Sequence, residues 1–182
     1  NDGGETAVRV ISYRHDGAQG VGVMVDDTGF VPLAGAAPDL PGDLRSILAI
    51  DPALDRIRSA VAGKPAEMSI DDVDFDPVIP EPHATWALAL NYTLHIEETG
   101  LTTSREFPQI FLRMPIAQVG HNQALWAPRP DIAEAYDYEG ELALIIGKPG
   151  RHIARKDAFE HIAGYACFNE GSVREYQSHN RQ

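Results

Sequence analysis

A chain of 182 residues, 43% hydrophobic and 23% charged, has an ordinary globular composition and is long enough for a small domain plus part of a larger one. A net charge of −12 with scattered basic residues excludes nucleic acid and anionic membrane as expected partners. There is no run of about 18 apolar residues to span a bilayer and no apolar leader after the polar Asn1–Thr6, and the single Cys167 precludes an internal disulfide, so the expected setting is a reducing cytoplasm.

Taken in chain order, the first elements form a small α+β unit. Residues 7–13 alternate as a strand, and 20–25 read as a second one. A turn at Asp26-Asp27-Thr28-Gly29 leads into a third strand at 30–33. Residues 34–42 are loop-like, with Pro38 and Pro41. A helix is predicted to start at Asp51-Pro52, with Asp51 as N-cap and Leu54, Ile57, Ala60 and Val61 as its apolar stripe, and to stop at Gly63. The proline-punctuated stretch after Asp76 marks a boundary: a small domain over 1–76, a linker over 77–84 and a second domain from 85 to 182. In that second part strands are predicted at 85–90, 110–113, 140–147 and 164–168. Short helices are predicted at 91–98 and at 157–163, the latter capped by Asp157.

Three stretches can carry chemistry. The first is Asp137-Tyr138-Glu139-Gly140-Glu141, running into Leu142-Ala143-Leu144-Ile145-Ile146. On one continuous strand, Asp137, Glu139 and Glu141 would share a face. Carboxylates converging at the mouth of a buried strand repel one another unless protonated or bound to a hard cation; a solvated strand face is the alternative. A cation there would also answer a second problem, that of an acidic protein meeting an acidic substrate. The second stretch, Asn169-Glu170-Gly171-Ser172-Val173-Arg174-Glu175-Tyr176-Gln177, puts an acid at a strand end. Ser172 is a candidate cap for a short helix on which Arg174 and Gln177 are neighbours. Such a group can hold a carboxylate substrate beside a metal, or be an ordinary capped helix with surface charges. The third, Asn91 to Glu98, places His95 and Glu98 three apart on a helix, so the carboxylate can orient the imidazole as a general base. Cys167 in its apolar strand reads as packing, His121 as loop surface, and the remaining histidines have no metal-ligand spacing.

Together these stretches resemble the fumarylacetoacetate hydrolase family over roughly residues 80–182. The resemblance rests on Asn91-Tyr92 with His95 and Glu98, P-Q-I-F-L-R-M-P-I-A-Q-V-G from Pro108, D-Y-E-G-E-L-A-L-I-I-G from Asp137, and G-Y-A-C-F-N-E-G-S-V-R-E-Y-Q from Gly164. It implies a mainly β, α+β fold, a mixed β-sandwich roll preceded by a small N-terminal domain, and a homodimer. It implies that Glu139, Glu141 and Glu170 ligate a divalent cation, Mg2+ or else Mn2+ or Ca2+. His95 and Glu98 then activate water, and Arg174, Gln177, Tyr92 and Arg113 contact the substrate. The implied reaction is cleavage of a carbon–carbon bond in a β-diketone or acylpyruvate-type keto acid. A decarboxylase, isomerase or hydratase on the same scaffold is the first alternative, and an inactive binding subunit the second. Glu170 stands where the family usually has Asp, Arg113 where Lys is common and Ile116 where Ser is common. The family also continues well past the Gln177 position, so the expectation is that the protein continues beyond Gln182.

Overall fold

The computed structural model describes residues 7–99 and 107–179. The N-terminal part is a five-stranded antiparallel sheet, ordered β4-β3-β2-β1-β5. Its strands are β1 (Val10–His15), β2 (Ala18–Met24), β3 (Gly29–Pro32), β4 (Met68–Ser69) and β5 (Asp74–Phe75). Strand β2 pairs with β1 from Val10↔Val23 to His15↔Ala18. Val21 and Val23 therefore share one face, the period of two expected of a strand. Gly22 lies on the other face, where a Cβ would stand 2.4 Å from the Phe30 ring. The missing side chain lets Phe30 lie across β2 and meet Tyr13 at 5.0 Å between ring centroids.

Three short helices cover the Val21/Val23 face: α1 (Leu33–Ala36), α2 (Leu44–Ile50) and α3 (Asp55–Val61). Val21, Val23, Leu33, Leu44, Ile47, Leu48 and Ile57 form the buried core. Helix α1 takes the last residue of the expected third strand, Leu33, and the start of the stretch expected to be loop, and α2 is an element the sequence reading did not include. Its start is held by Asp43, whose carboxylate accepts from Ser46 N at 2.9 Å.

The third helix begins later than expected. Asp51 closes α2, and its carboxylate reaches forward to accept from Asp55 N at 3.1 Å and Arg56 N at 2.9 Å. Asp51 thus does satisfy the helix N-terminus, but across a turn that holds Pro52 and a left-handed Leu54, not from the residue before it. Gly63, with φ of 71°, follows the helix as expected. The proline-rich stretch has no regular structure, yet it is docked: Ser12 Oγ donates to Val78 O at 2.8 Å, and Val78 and Ile79 pack against the core.

Beyond it lie antiparallel strand pairs rather than one continuous sheet. Strands β6 (Thr85–Ala89) and β7 (Gln109–Arg113) pair, as do β9 (Gly140–Ile146) and β10 (Ile162–Asn169), and the two-residue strands β8 (Tyr136–Asp137) and β11 (Ser172–Val173). Helix α4 (Thr93–Thr99) follows β6, and α5 (Arg174–His179) follows β11. Residues 155–161 form a 3-10 turn with no side-chain cap, so Asp157 is not the N-cap expected of it.

The apolar run of β9 enters a core on one face only. Ile145, with Ala163 after the start of β10, packs against the N-terminal core, whereas Leu142, Leu144 and Ile146 are exposed. Cys167 pairs with Leu142 on that open face and is exposed, not packed as the sequence suggested. Among the described residues no helix is long and apolar enough to cross a membrane.

Candidate active site

The carboxylates gather where β8 gives way to β9 and, on the facing chain segment, β10 gives way to β11. Asn169↔Gly140 is the last pair of the longer ladder and Ser172↔Asp137 the first of the shorter one. Between them the ladder breaks, so Asp137, Glu139 and Glu141 do not lie on one continuous strand as the period-two reading assumed. The break has its own bonds: Glu170 N donates to Glu139 O at 2.9 Å, and Glu139 N donates to Asn169 Oδ1 at 3.1 Å. These set Glu139 and Glu170 side by side. Glu141, one pair further into β9 opposite Phe168, is half-buried and makes no ion pair among the described residues.

Two arginines answer these acids. Arg174 opens α5. It donates through Nη1 to Glu139 Oε1 at 3.0 Å and through Nε and Nη2 to Asp137 Oδ2 at 3.2 and 2.9 Å. The same Nη1 donates to Gln177 Oε1 at 3.1 Å, the neighbour relation predicted from their spacing. The start of α5 is fixed by Glu175, whose Oε1 accepts from Glu134 N and Ala135 N at 2.8 Å each. Ser172 is not the cap of this helix. It sits in β11, buried, with its hydroxyl on Glu170 O at 3.4 Å.

Glu170 is 8% exposed. Its Oε1 accepts from Nε of Arg113, the last residue of β7, and makes an ion pair with Nη2 of the same guanidinium. A buried carboxylate needs such a partner, because desolvation otherwise outweighs what the interior returns. Arg113 lies with its Cζ 5.1 Å from the Phe111 ring centroid, on the half-buried face of β7.

His95 and Glu98 meet on α4, with Nδ1 and Oε2 3.8 Å apart. That is ion-pair range, longer than a direct hydrogen bond. The imidazole side chain is 36% exposed, so solvent reaches it. Tyr92, just before α4, is half exposed and makes no side-chain hydrogen bond to the carboxylates among the described residues. The structure therefore forms two groups: the carboxylates with Arg113, Arg174 and Gln177, and the His95–Glu98 pair beside Tyr92. An open cleft of about 470 Å³ is lined by Pro38, Asp39, Asp55 and Arg56 among others, and by none of these residues.

Asp137, named with the acidic stretch but not carried forward as a ligand, takes two of the Arg174 bonds. Its signal in the sequence was its place on the flank of that stretch. In donor chemistry the set fits a hard divalent cation: all oxygens, four acids (Asp137, Glu139, Glu141 and Glu170) of which three are paired, among the described residues, with two arginines, Arg113 and Arg174. Two negative charges are left over, the charge such an ion balances. The side chains do not close around one point as they stand; among the described residues no three His, Cys, Asp or Glu side chains form a metal-holding group.

Comparison with known proteins adds a relationship. The family model described as fumarylacetoacetate (FAA) hydrolase C-terminal matches residues 84–182. A homoprotocatechuate catabolism bifunctional isomerase/decarboxylase of Escherichia coli is 39% identical over 101 residues, 55% of this chain and 23% of that protein. The oxaloacetate tautomerase YisK of Bacillus subtilis is 32% identical over 116 residues, 63% of this chain and 38% of that protein. Among solved structures, a probable 2-hydroxyhepta-2,4-diene-1,7-dioate isomerase from Mycobacterium abscessus superposes with a TM-score of 0.66 at 30% identity, over 91% of this chain and 53% of that one. The chain spans less than half the length of the two curated relatives and about half of the solved one.

Proposed function

This chain belongs to the fumarylacetoacetate hydrolase family, and from that premise we propose that it is part of an enzyme that enolises a small keto acid at a divalent cation, as an isomerase or tautomerase, with or without loss of carbon dioxide. The observation that carries the reading is the backbone pairing of Glu170 with Glu139, which makes these two acidic residues neighbours at the end of the ladder that holds Glu141, with two arginines against four acids in the cluster. Glu139, Glu141 and Glu170 would hold the ion, Mg2+ or else Mn2+ or Ca2+. When bound there, the ion supplies a Lewis acid for the negative charge that develops on a keto oxygen.

The remaining steps belong to the chain's own side chains. Arg174, beside Gln177, offers a forked donor to a substrate carboxylate, the geometry guanidinium suits. Tyr92 lies next to α4 for a further contact with substrate. His95 has Nδ1 turned to Glu98, which leaves Nε2 to take a proton from the carbon next to the keto group. The same nitrogen returns the proton to oxygen or to another carbon. This fits what the relatives are named for, an isomerase/decarboxylase and an oxaloacetate tautomerase.

Hydrolysis of a carbon–carbon bond, the first expectation from the sequence, is the second reading. It is favoured by the solvent exposure of His95, which lets water reach the base. The test follows keto–enol conversion and decarboxylation of oxaloacetate, and loss of the enol band of an acylpyruvate panel, with Mg2+ and with chelator. Chelator-sensitive turnover of oxaloacetate is expected, and acylpyruvate cleavage with pyruvate as product would move the assignment to hydrolase. Glu139→Ala should lower metal-dependent turnover by about a hundredfold or more while far-ultraviolet circular dichroism stays unchanged. Full turnover in that variant would remove the carboxylates from the mechanism.

A further inference from the structure

We infer that Arg113 is a positioning residue for the cation site, holding Glu170 by one carboxylate oxygen so that the other is presented to the ion. The inference rests on the site reading above. Arg113 was expected from the sequence to contact substrate, but its guanidinium is committed elsewhere. Nε donates to Oε1 of Glu170, Nη2 makes an ion pair with the same oxygen, and the second oxygen accepts no hydrogen bond among the described residues. A flexible glutamate gripped in this way loses the rotamers that would carry it away from Glu139.

The grip is itself supported. Arg113 ends β7 opposite Thr85, and its guanidinium lies over the ring of Phe111, two residues back on the same face. The pair spans 57 residues of sequence and ties the β6–β7 hairpin to the end of β10. Glu170 is the most deeply buried of the acids in the cluster, and so the one least able to orient itself by hydration. A planar guanidinium that donates through Nε, with Nη2 in ion-pair contact at the same oxygen, sets the side from which that carboxylate is held; an ammonium group is a point charge that sets no such direction. A partner that orients a ligand strengthens metal binding without touching the metal.

The substrate-anchor role and the positioning role separate in one experiment. Mn2+ binding to the full chain is followed by calorimetry and by the spin-resonance signal of free Mn2+, for wild type, Arg113→Met, Arg113→Lys and Glu139→Ala. Arg113→Met should weaken Mn2+ binding about 10–100-fold, with Arg113→Lys in between and the KM for oxaloacetate at saturating Mn2+ little changed. Unchanged or tighter Mn2+ binding with a raised KM would overturn the inference and make Arg113 a substrate anchor. If Arg113→Met fails to fold, Arg113→Lys decides alone: it keeps the charge and loses the fork, so Mn2+ affinity equal to wild type overturns the proposal. If wild type binds no Mn2+, or Glu139→Ala binds it as well as wild type, the site reading fails first and the role of Arg113 falls with it.

Discussion

The N-terminal module and the carboxylate cluster are held together in different ways. In the module, helices α1–α3 bring Leu33, Leu44, Ile47, Leu48 and Ile57 onto Val21 and Val23, and these side chains are 5% exposed or less. The cluster has no such core. Its order comes from the break between β9 and β8, from the Glu170–Glu139 backbone bond and from two arginines. Around it, Trp86, Leu88, Ile110 and Leu112 on β6–β7, and Leu142, Leu144, Ile146 and Tyr165 on β9–β10, remain exposed. The link between the two regions includes Ile145 and Ala163 resting on the module core, the contact of Gly120 with Phe75 and the edge-to-face pair of Phe75 with His121, 5.2 Å between centroids.

The largest stability effect should therefore come from the module. Ile47 is fully buried, and Ile47→Ala should cost about 2–5 kcal/mol in urea denaturation, because it removes packed methyl groups and leaves a cavity. Leu144→Ser, on the open face of β9, should stay within about 0.5 kcal/mol. Equal costs at the two positions would break the comparison, since Leu144 would then be buried in solution.

The next effect falls on the link. A Cβ at Gly120 would stand 1.8 Å from the carbonyl oxygen of Phe75 and 2.5 Å from its carbon. Both are backbone atoms and cannot swing aside. Beside them, Gln123 Nε2 donates to Phe75 O at 2.9 Å and its Oε1 accepts from Gly120 N at 3.0 Å. Gly120→Ala should cost about 1–3 kcal/mol as overpacking. It should also raise protease cleavage at the junction more than inside the module. Cleavage that rises equally everywhere would show that the two regions unfold as one.

The sequence carried the two regions unequally. Strands β1–β3 were legible because their apolar residues alternate, and α3 because Ile57 and Val61 repeat at helical spacing; the two-residue strands β4 and β5 were not expected, being too short to show a period. Helix α2 was missed although Asp43 before Leu44, Ile47 and Leu48 is a cap followed by an apolar i, i+3, i+4 set; the prolines just upstream outweighed it. At the site the acids themselves were legible, because carboxylates before an apolar strand are conspicuous. Their partners were not. Arg113 meets Glu170 across 57 residues and Arg174 meets Glu139 across 35, and no spacing rule reaches that far. The break at Glu139 was hidden for a related reason: the period-two pattern continues through it, and what interrupts the ladder is Asn169 bonding from the opposite strand.

The smallest effect tests how a carboxylate behaves in the module, where it bonds to backbone and not to a cation site. Asp26 Oδ1 accepts from Thr28 N at 2.9 Å and Gly29 N at 2.6 Å, closing the turn between β2 and β3. Those two N–H groups hold its carboxyl below the ordinary carboxylate range. The folded chain thus gives up this proton more readily than the unfolded chain, whose aspartates titrate near about 3.9. The stabilisation is fully present above that pH and is lost as pH falls through the depressed folded value. Asp26→Asn keeps an acceptor without the charge, so it should be slightly less stable than wild type at neutral pH. The gap should close on acidification, because a protonated Asp26 is nearly the same group. The measurement is urea stability of both proteins from neutral pH down to about pH 3. A gap that does not change with pH would mean that the turn is held by the shape of the side chain and owes nothing to its charge.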